Sequence, residues 1–138
     1  MVQQDYLLRQ IQLMGIFLQK LISRMLKRNE DGDNGEIQEM VKTEFQNELG
    51  LNLDELAVIP PDDFFLILKE KKFTADLLEK LAWIFFLLGQ TDGSELSVQK
   101  RNFLQKALDI YTKLEQESGS YSFERNRQIA LIRQMQNM

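Results

Sequence analysis

The 138-residue chain contains no cysteine and no histidine, and these two absences remove more chemistry than any residue present supplies. Without thiolates there is no disulfide framework, no cysteine nucleophile and no iron–sulfur ligation. Without imidazole there is no serine–histidine relay, no histidine general base, no usual zinc set and no Glu-x-x-His di-iron arrangement. Long apolar runs are missing too. The longest nearly apolar stretch, Leu81 to Gly89, falls far short of the roughly 20 residues that span a bilayer. No positive stretch followed by an apolar run and a small-residue cleavage site opens the chain, and with the lack of cysteine this predicts a cytoplasmic location.

Proline is nearly absent, with Pro60 and Pro61 adjacent, and the seven glycines fall mostly between periodic apolar segments. Such punctuation belongs to helices joined by short turns. At 43% hydrophobic residues the chain can bury one core, so residues 1–138 are expected to form a single all-α domain of about six helices.

The net charge of −4 hides an asymmetry. Residues 1–28 carry five basic side chains against Asp5, a local +4, whereas residues 29–120 carry nine basic against nineteen acidic, a local −10. An acidic body offers little phosphate neutralisation, so nucleic acid is not an expected partner.

The most regular segment covers residues 3–28, a long amphipathic helix in which Leu7, Ile11, Met14, Leu18, Leu21 and Met25 recur at 4, 3, 4, 3, 4. That spacing is a heptad seam. Leu8, Ile22 and Leu26 widen the stripe on one side, Leu13, Ile16 and Phe17 lie on another, and Arg9, Lys20, Arg24, Lys27 and Arg28 occupy the polar side. Asn29 to Gly35 reads as a loop. Short helices then fill residues 36–71: one from Glu36 to Leu49 with Ile37, Met40, Val41, Phe45 and Leu49 inward and Gly50 as its stop, and another opened by Pro61 with Asp62 and Asp63 at its positive end.

Thr74 is placed to cap a helix from Ala75 to Leu88 whose second half has almost no polar face, which predicts the most buried helix of the fold. A turn over Thr91–Gly93 and a cap at Ser94 then introduce a helix from Glu95 to Ser118, inward at Leu96, Phe103, Leu104, Ala107, Leu108, Tyr111 and Leu114. After Gly119, Ser122 caps a last helix expected to bury Phe123, Ala130, Leu131 and Met135 and to leave Arg125, Arg127 and Arg133 in solvent.

Motifs that invite chemistry have simpler readings. Asp31, Asp33 and Asn34 supply oxygens beside glycines, but a calcium loop starting at Asn29 puts Met40 where the bidentate Glu belongs, and one starting at Asp31 puts Lys42 there. Ser97-Val98-Gln99-Lys100 has Ser-x-x-Lys spacing without the companion elements of that chemistry. Asp62, Asp63 and Asp76 complement helix N-termini, and Trp83, Phe85 and Phe86 lie in the most apolar helix, where core packing is expected. No glycine-rich phosphate loop occurs. No catalytic, cofactor-binding or metal-ligating residue is singled out, and no enzyme is expected.

The segments Asp5-Tyr6-Leu7-Leu8-Arg9-Gln10-Ile11 and Leu49-Gly50-Leu51-Asn52-Leu53-Asp54-Glu55-Leu56, with the helix from Leu77 to Gly89, resemble a family of small helical bacterial proteins of unknown function; the resemblance implies an all-helical fold and a bacterial host, and no mechanism. In residues 75–137, Leu88-Gly89 followed by Ala107, Tyr111 and Leu114 resembles a degenerate tetratricopeptide unit. Ala107 stands eighteen positions after Gly89, against about twelve in a regular repeat. Such helical hairpins often present peptide-binding grooves.

The expected function is therefore a protein-interaction module, self-associating as a homodimer and receiving a protein or peptide partner. Its candidate interface is the seam Leu7, Ile11, Met14, Leu18, Leu21 and Met25, with Leu8, Ile22 and Leu26 resting on the Trp83 helix of the same chain. The same seam could instead pack wholly within its own chain. A peripheral membrane adaptor, laying the basic first helix on anionic lipid, is the alternative.

Overall fold

A computed structural model describes residues 2–31, 35–90 and 97–137. These form seven helices: α1 (Val2–Asp31), α2 (Gly35–Leu49), α3 (Leu53–Leu56), α4 (Pro61–Glu70), α5 (Ala75–Gly89), α6 (Val98–Ser118) and α7 (Phe123–Gln136). No strand occurs among the described residues, and the fold is all-α.

Most of the boundaries follow from local chemistry. Pro61 occupies the first turn of α4 with Asp62 and Asp63 beside it, where a missing N–H costs nothing and carboxylates meet the positive helix end. Thr74 Oγ1 accepts from Leu77 N at 3.4 Å and Ser122 Oγ from Arg125 N at 3.3 Å. Gly50 and Gly119 follow α2 and α6 in the left-handed region, φ +67° and +66°, which glycine enters without steric cost.

α5 is the central helix, as its composition predicts. Leu81, Ala82, Ile84, Phe85 and Leu88 have no exposed surface. α6 packs antiparallel to it, since Gly89 at the end of α5 lies against Lys100 and Leu104 near the start of α6, while Glu79 near the start of α5 is bridged by Arg125 to Glu115 near the end of α6. A Cβ at Gly89 would stand 2.6 Å from Leu104 Cγ, so the glycine serves close approach between α5 and α6 and is the last residue of α5. α7 folds back along α6, with Gln136 bonding Gln105. α1 runs parallel to α5: Gly15 lies against Leu77, while Ile22 and Leu26 line a cleft with Trp83. α2 returns antiparallel along α1 through Arg24 and Glu44, 2.8 Å apart.

From the α4 side, Phe64 joins Phe85 and Phe103 in an aromatic row with centroids 6.0 Å apart at each step. One buried charge belongs to this region. Lys106 Nζ donates to the Ile59 carbonyl at 2.6 Å, stands 3.7 Å from Asp109 and lies over the Phe64 ring. Burial lowers the pKa of this ammonium, and Asp109 opposes the shift.

Several expectations are corrected. The helix count is close to the six or so expected, and the single turn α3, capped by Asn52 accepting from Glu55 N at 3.0 Å, is the addition. α1 continues through Asn29 to Asp31, since no glycine or proline interrupts it before Gly32. α6 starts at Val98, capped by Ser97 Oγ accepting from Lys100 N at 3.1 Å, and not at Glu95; the expected turn at 91–93, the Ser94 cap and inward Leu96 lie outside the described residues. α7 is rotated from its expected register. Ile129 and Ile132 are buried, Phe123 is 71% exposed, Ala130 and Leu131 are exposed, and Met135 is half-buried. The anchor that sets this rotation is Arg125, which shares the face of Ile129 and Ile132 at i, i+4, i+7.

Candidate interaction surface

The seam of α1 divides along its length. Leu18, Leu21 and Met25 are buried in the core of their own chain, Ile11 and Met14 are half-buried, and Leu7 is exposed. The division has a geometric cause, because α5 begins at Ala75 and its first turn reaches α1 at Gly15. Residues 4–10 are all exposed. On this N-terminal half, Tyr6, Leu8, Leu13 and Ile16 each keep more than half of their surface exposed, and they point to different sides of the helix. A helix that is apolar on several sides is built to be covered on several sides.

The side stripe also divides. Ile22 is buried, whereas Leu26 is exposed at 41% and joins Ile22 and Gln19 as one wall of a groove of about 520 Å³. Glu79, Lys80 and Trp83 of α5 form its floor, and Ser122, Glu124, Arg127 and Gln128 its opposite wall. The Trp83 ring stacks on Phe86 at 5.6 Å. Its indole is held by this stacking and lines the groove, half-buried. Gln128 Oε1 is buried with no hydrogen-bond partner, a cost that an arriving donor would remove.

At the end of the groove Arg125 holds three helices together. Its Nη1 donates to Glu115 Oε1 at 2.6 Å and its Nε to Glu79 Oε1 at 2.8 Å, with Nη2 also on Glu79. Asn126 Nδ2 reaches Glu115 Oε2 at 3.1 Å. The hydrogen bond from Asn126, with those from Arg125, lowers the Glu115 pKa against an opposing effect of burial. Tyr111 lies below, and burial raises its phenol well above the ordinary range, Glu79 adding to the shift and Arg125 opposing it. Arg125, expected in solvent, retains 13% side-chain exposure. Arg127 and Arg133 are exposed as expected. The signal for Arg125 was its spacing from Ile129 and Ile132, together with Glu79, a rare charge in the apolar α5.

Among the described residues the remaining motifs are absorbed by structure, whereas Asp33 and Asn34 of the calcium-like stretch lie outside the described residues. Ser97 and Lys100 form a cap, Asp54 accepts from Gln99 at 2.8 Å and lies 3.3 Å from Lys42, and Phe85 is fully buried. Tyr121 and Phe123 stay exposed beside Ser122 at the α6–α7 turn. Among the described residues no group of three or more Asp or Glu side chains is placed to hold a metal ion, and no helix is long and apolar enough to cross a membrane. Comparison with known proteins gave no matching family model, no matching curated protein and no matching solved structure.

Proposed function

We propose that this chain is a non-enzymatic protein-interaction module that self-associates through α1, with the neighbouring groove as a docking place for a helix or peptide. The observation that carries the reading is the exposure of Tyr6, Leu8, Leu13 and Ile16 on a helix whose other half is buried in a complete core. Leaving such a cluster in water forgoes about 1.5–3 kcal/mol for each large side chain that could be covered. The depleted catalytic inventory supports a binding role over a chemical one, and a chain without cysteine fits a cytoplasmic setting.

A membrane-surface reading draws on the same helix through Lys20 and Lys27, both exposed. The arrangement favours a protein partner. A helix lying in a lipid interface carries a polar face rich in Lys and Arg beside its apolar stripe, whereas here Arg9, with Asp5 one turn before it, is the one cation within the apolar cluster of residues 6–16, and Lys20 and Lys27 follow that cluster end to end. Light scattering on the full chain over a concentration series tests the proposal, paired with co-sedimentation on anionic phosphatidylserine vesicles. A dimer that does not pellet with vesicles is expected. A monomer at all concentrations, or vesicle binding that weakens steeply with salt, overturns it.

A further inference from the structure

Resting on that self-association, we propose that the partner on α1 is a second copy arranged antiparallel, with its Leu8 seated against Leu26 at the mouth of the groove floored by Trp83. The two leucines are eighteen residues apart, five turns at 3.6 residues each, so they share one side of the helix. Both are exposed. A two-fold axis at the level of residue 17 brings each Leu8 onto the Leu26 of the other copy, with Ile16 and Gln19 at the centre. This contact is isologous and closed, the common form of a homodimer.

Charge decides the direction. Lys20 and Lys27 stand in the C-terminal part of α1 beside Arg24, which Glu44 of α2 pairs, while Asp5 and Arg9 are the only charges before residue 20. A parallel pair would set the two basic ends side by side, a repulsive juxtaposition. The antiparallel pair sets each basic end against a nearly neutral apolar half and brings Asp5, one turn before Leu8, toward Lys27, the residue after Leu26. The groove supports the same placement. Gln4 and Gln12, one turn to either side of Leu8, would enter beside Gln128, whose Oε1 is buried without a partner; Lys80 and Arg127 are further cations within reach of Asp5.

Because the chain has no cysteine, site-directed cross-linking reads the arrangement without background. Three full-length variants are oxidised under dilute conditions and run without reductant: Leu8→Cys, Leu26→Cys, and the two together. Within one chain the two positions are about 27 Å apart at 1.5 Å per residue, far outside disulfide reach, so any bond formed is between copies. The antiparallel arrangement predicts that the double variant runs mostly at twice the monomer mass and that each single variant stays monomeric. Cross-linking of the single variants, or none in the double variant while light scattering shows a dimer, overturns the orientation and leaves self-association standing. A monomer by light scattering overturns both.

Discussion

Arg125 and Glu115 meet at 2.6 Å across the α6–α7 turn, and the same guanidinium reaches Glu79 on α5 at 2.8 Å. α7 buries only Ile129 and Ile132 within its span, so this one side chain supplies much of what fixes its rotation and docking. Arg125→Ala should release α7 while α5 and α6 keep their core. Amide hydrogen exchange in α7 should accelerate roughly tenfold or more with α5 protection unchanged. Arg125→Lys should restore little, because a point charge cannot serve two carboxylates as the planar fork does. Uniform acceleration across all helices would show that α7 is not a separately docked element.

The same cluster sets an acid limit. The Glu115 pKa lies below its ordinary value of 4.5, first through Asn126 and then Arg125. In that window the unfolded chain binds the proton more readily than the folded one. The stabilisation is therefore complete above pH 4.5 and is lost as the pH falls through the depressed value. Thermal melts of the wild type and Glu115→Gln should differ at neutral pH and converge on acidification. A constant gap across the titration would remove Glu115 from the account.

Two glycines in helices should respond with opposite sign to the same substitution. At Gly89 an added Cβ meets Leu104 at 2.6 Å and the Lys100 carbonyl at 3.1 Å, whereas at Gly15 the nearest atom, Leu77 Cδ2, is at 3.6 Å. Gly89→Ala should cost about 1–3 kcal/mol by forcing α5 and α6 apart. Gly15→Ala should gain roughly 0.5–1 kcal/mol from helix propensity alone. Urea denaturation measures both; a neutral Gly89→Ala would mean that the close approach is softer than the geometry implies.

The fold was legible in the sequence wherever one physical signal dominated. Thr74, Pro61 and Gly50 each mark a boundary through a local backbone requirement, and the apolar second half of α5 has no stable place except the centre. α7 is less legible, because the apolar Phe123, Ala130 and Leu131 outweigh Arg125 in a local reading, and the burial of Arg125 depends on Glu79, forty-six positions earlier. The partner at that sequence distance leaves no mark on local periodicity, which shows only that Arg125 shares the face of Ile129 and Ile132. The α1 seam was legible as a seam, yet not where its cover ends, since that depends on α5 starting opposite Gly15. The exposed half that carries the proposed function is therefore a product of tertiary length mismatch, with no sequence signature of its own.

Self-association through the exposed half of α1 is tested most directly by sedimentation equilibrium with circular dichroism on three full-length chains. The wild type is expected to be a dimer. Leu8→Asp combined with Ile16→Asp should give a monomer of unchanged helicity, because both side chains lie outside the core. Leu21→Asp should lose helicity and aggregate, since Leu21 is 1% exposed in its own chain and even truncation to alanine there costs about 2–5 kcal/mol. A monomeric wild type, or a dimer that survives the Leu8 and Ile16 substitutions, would contradict the account.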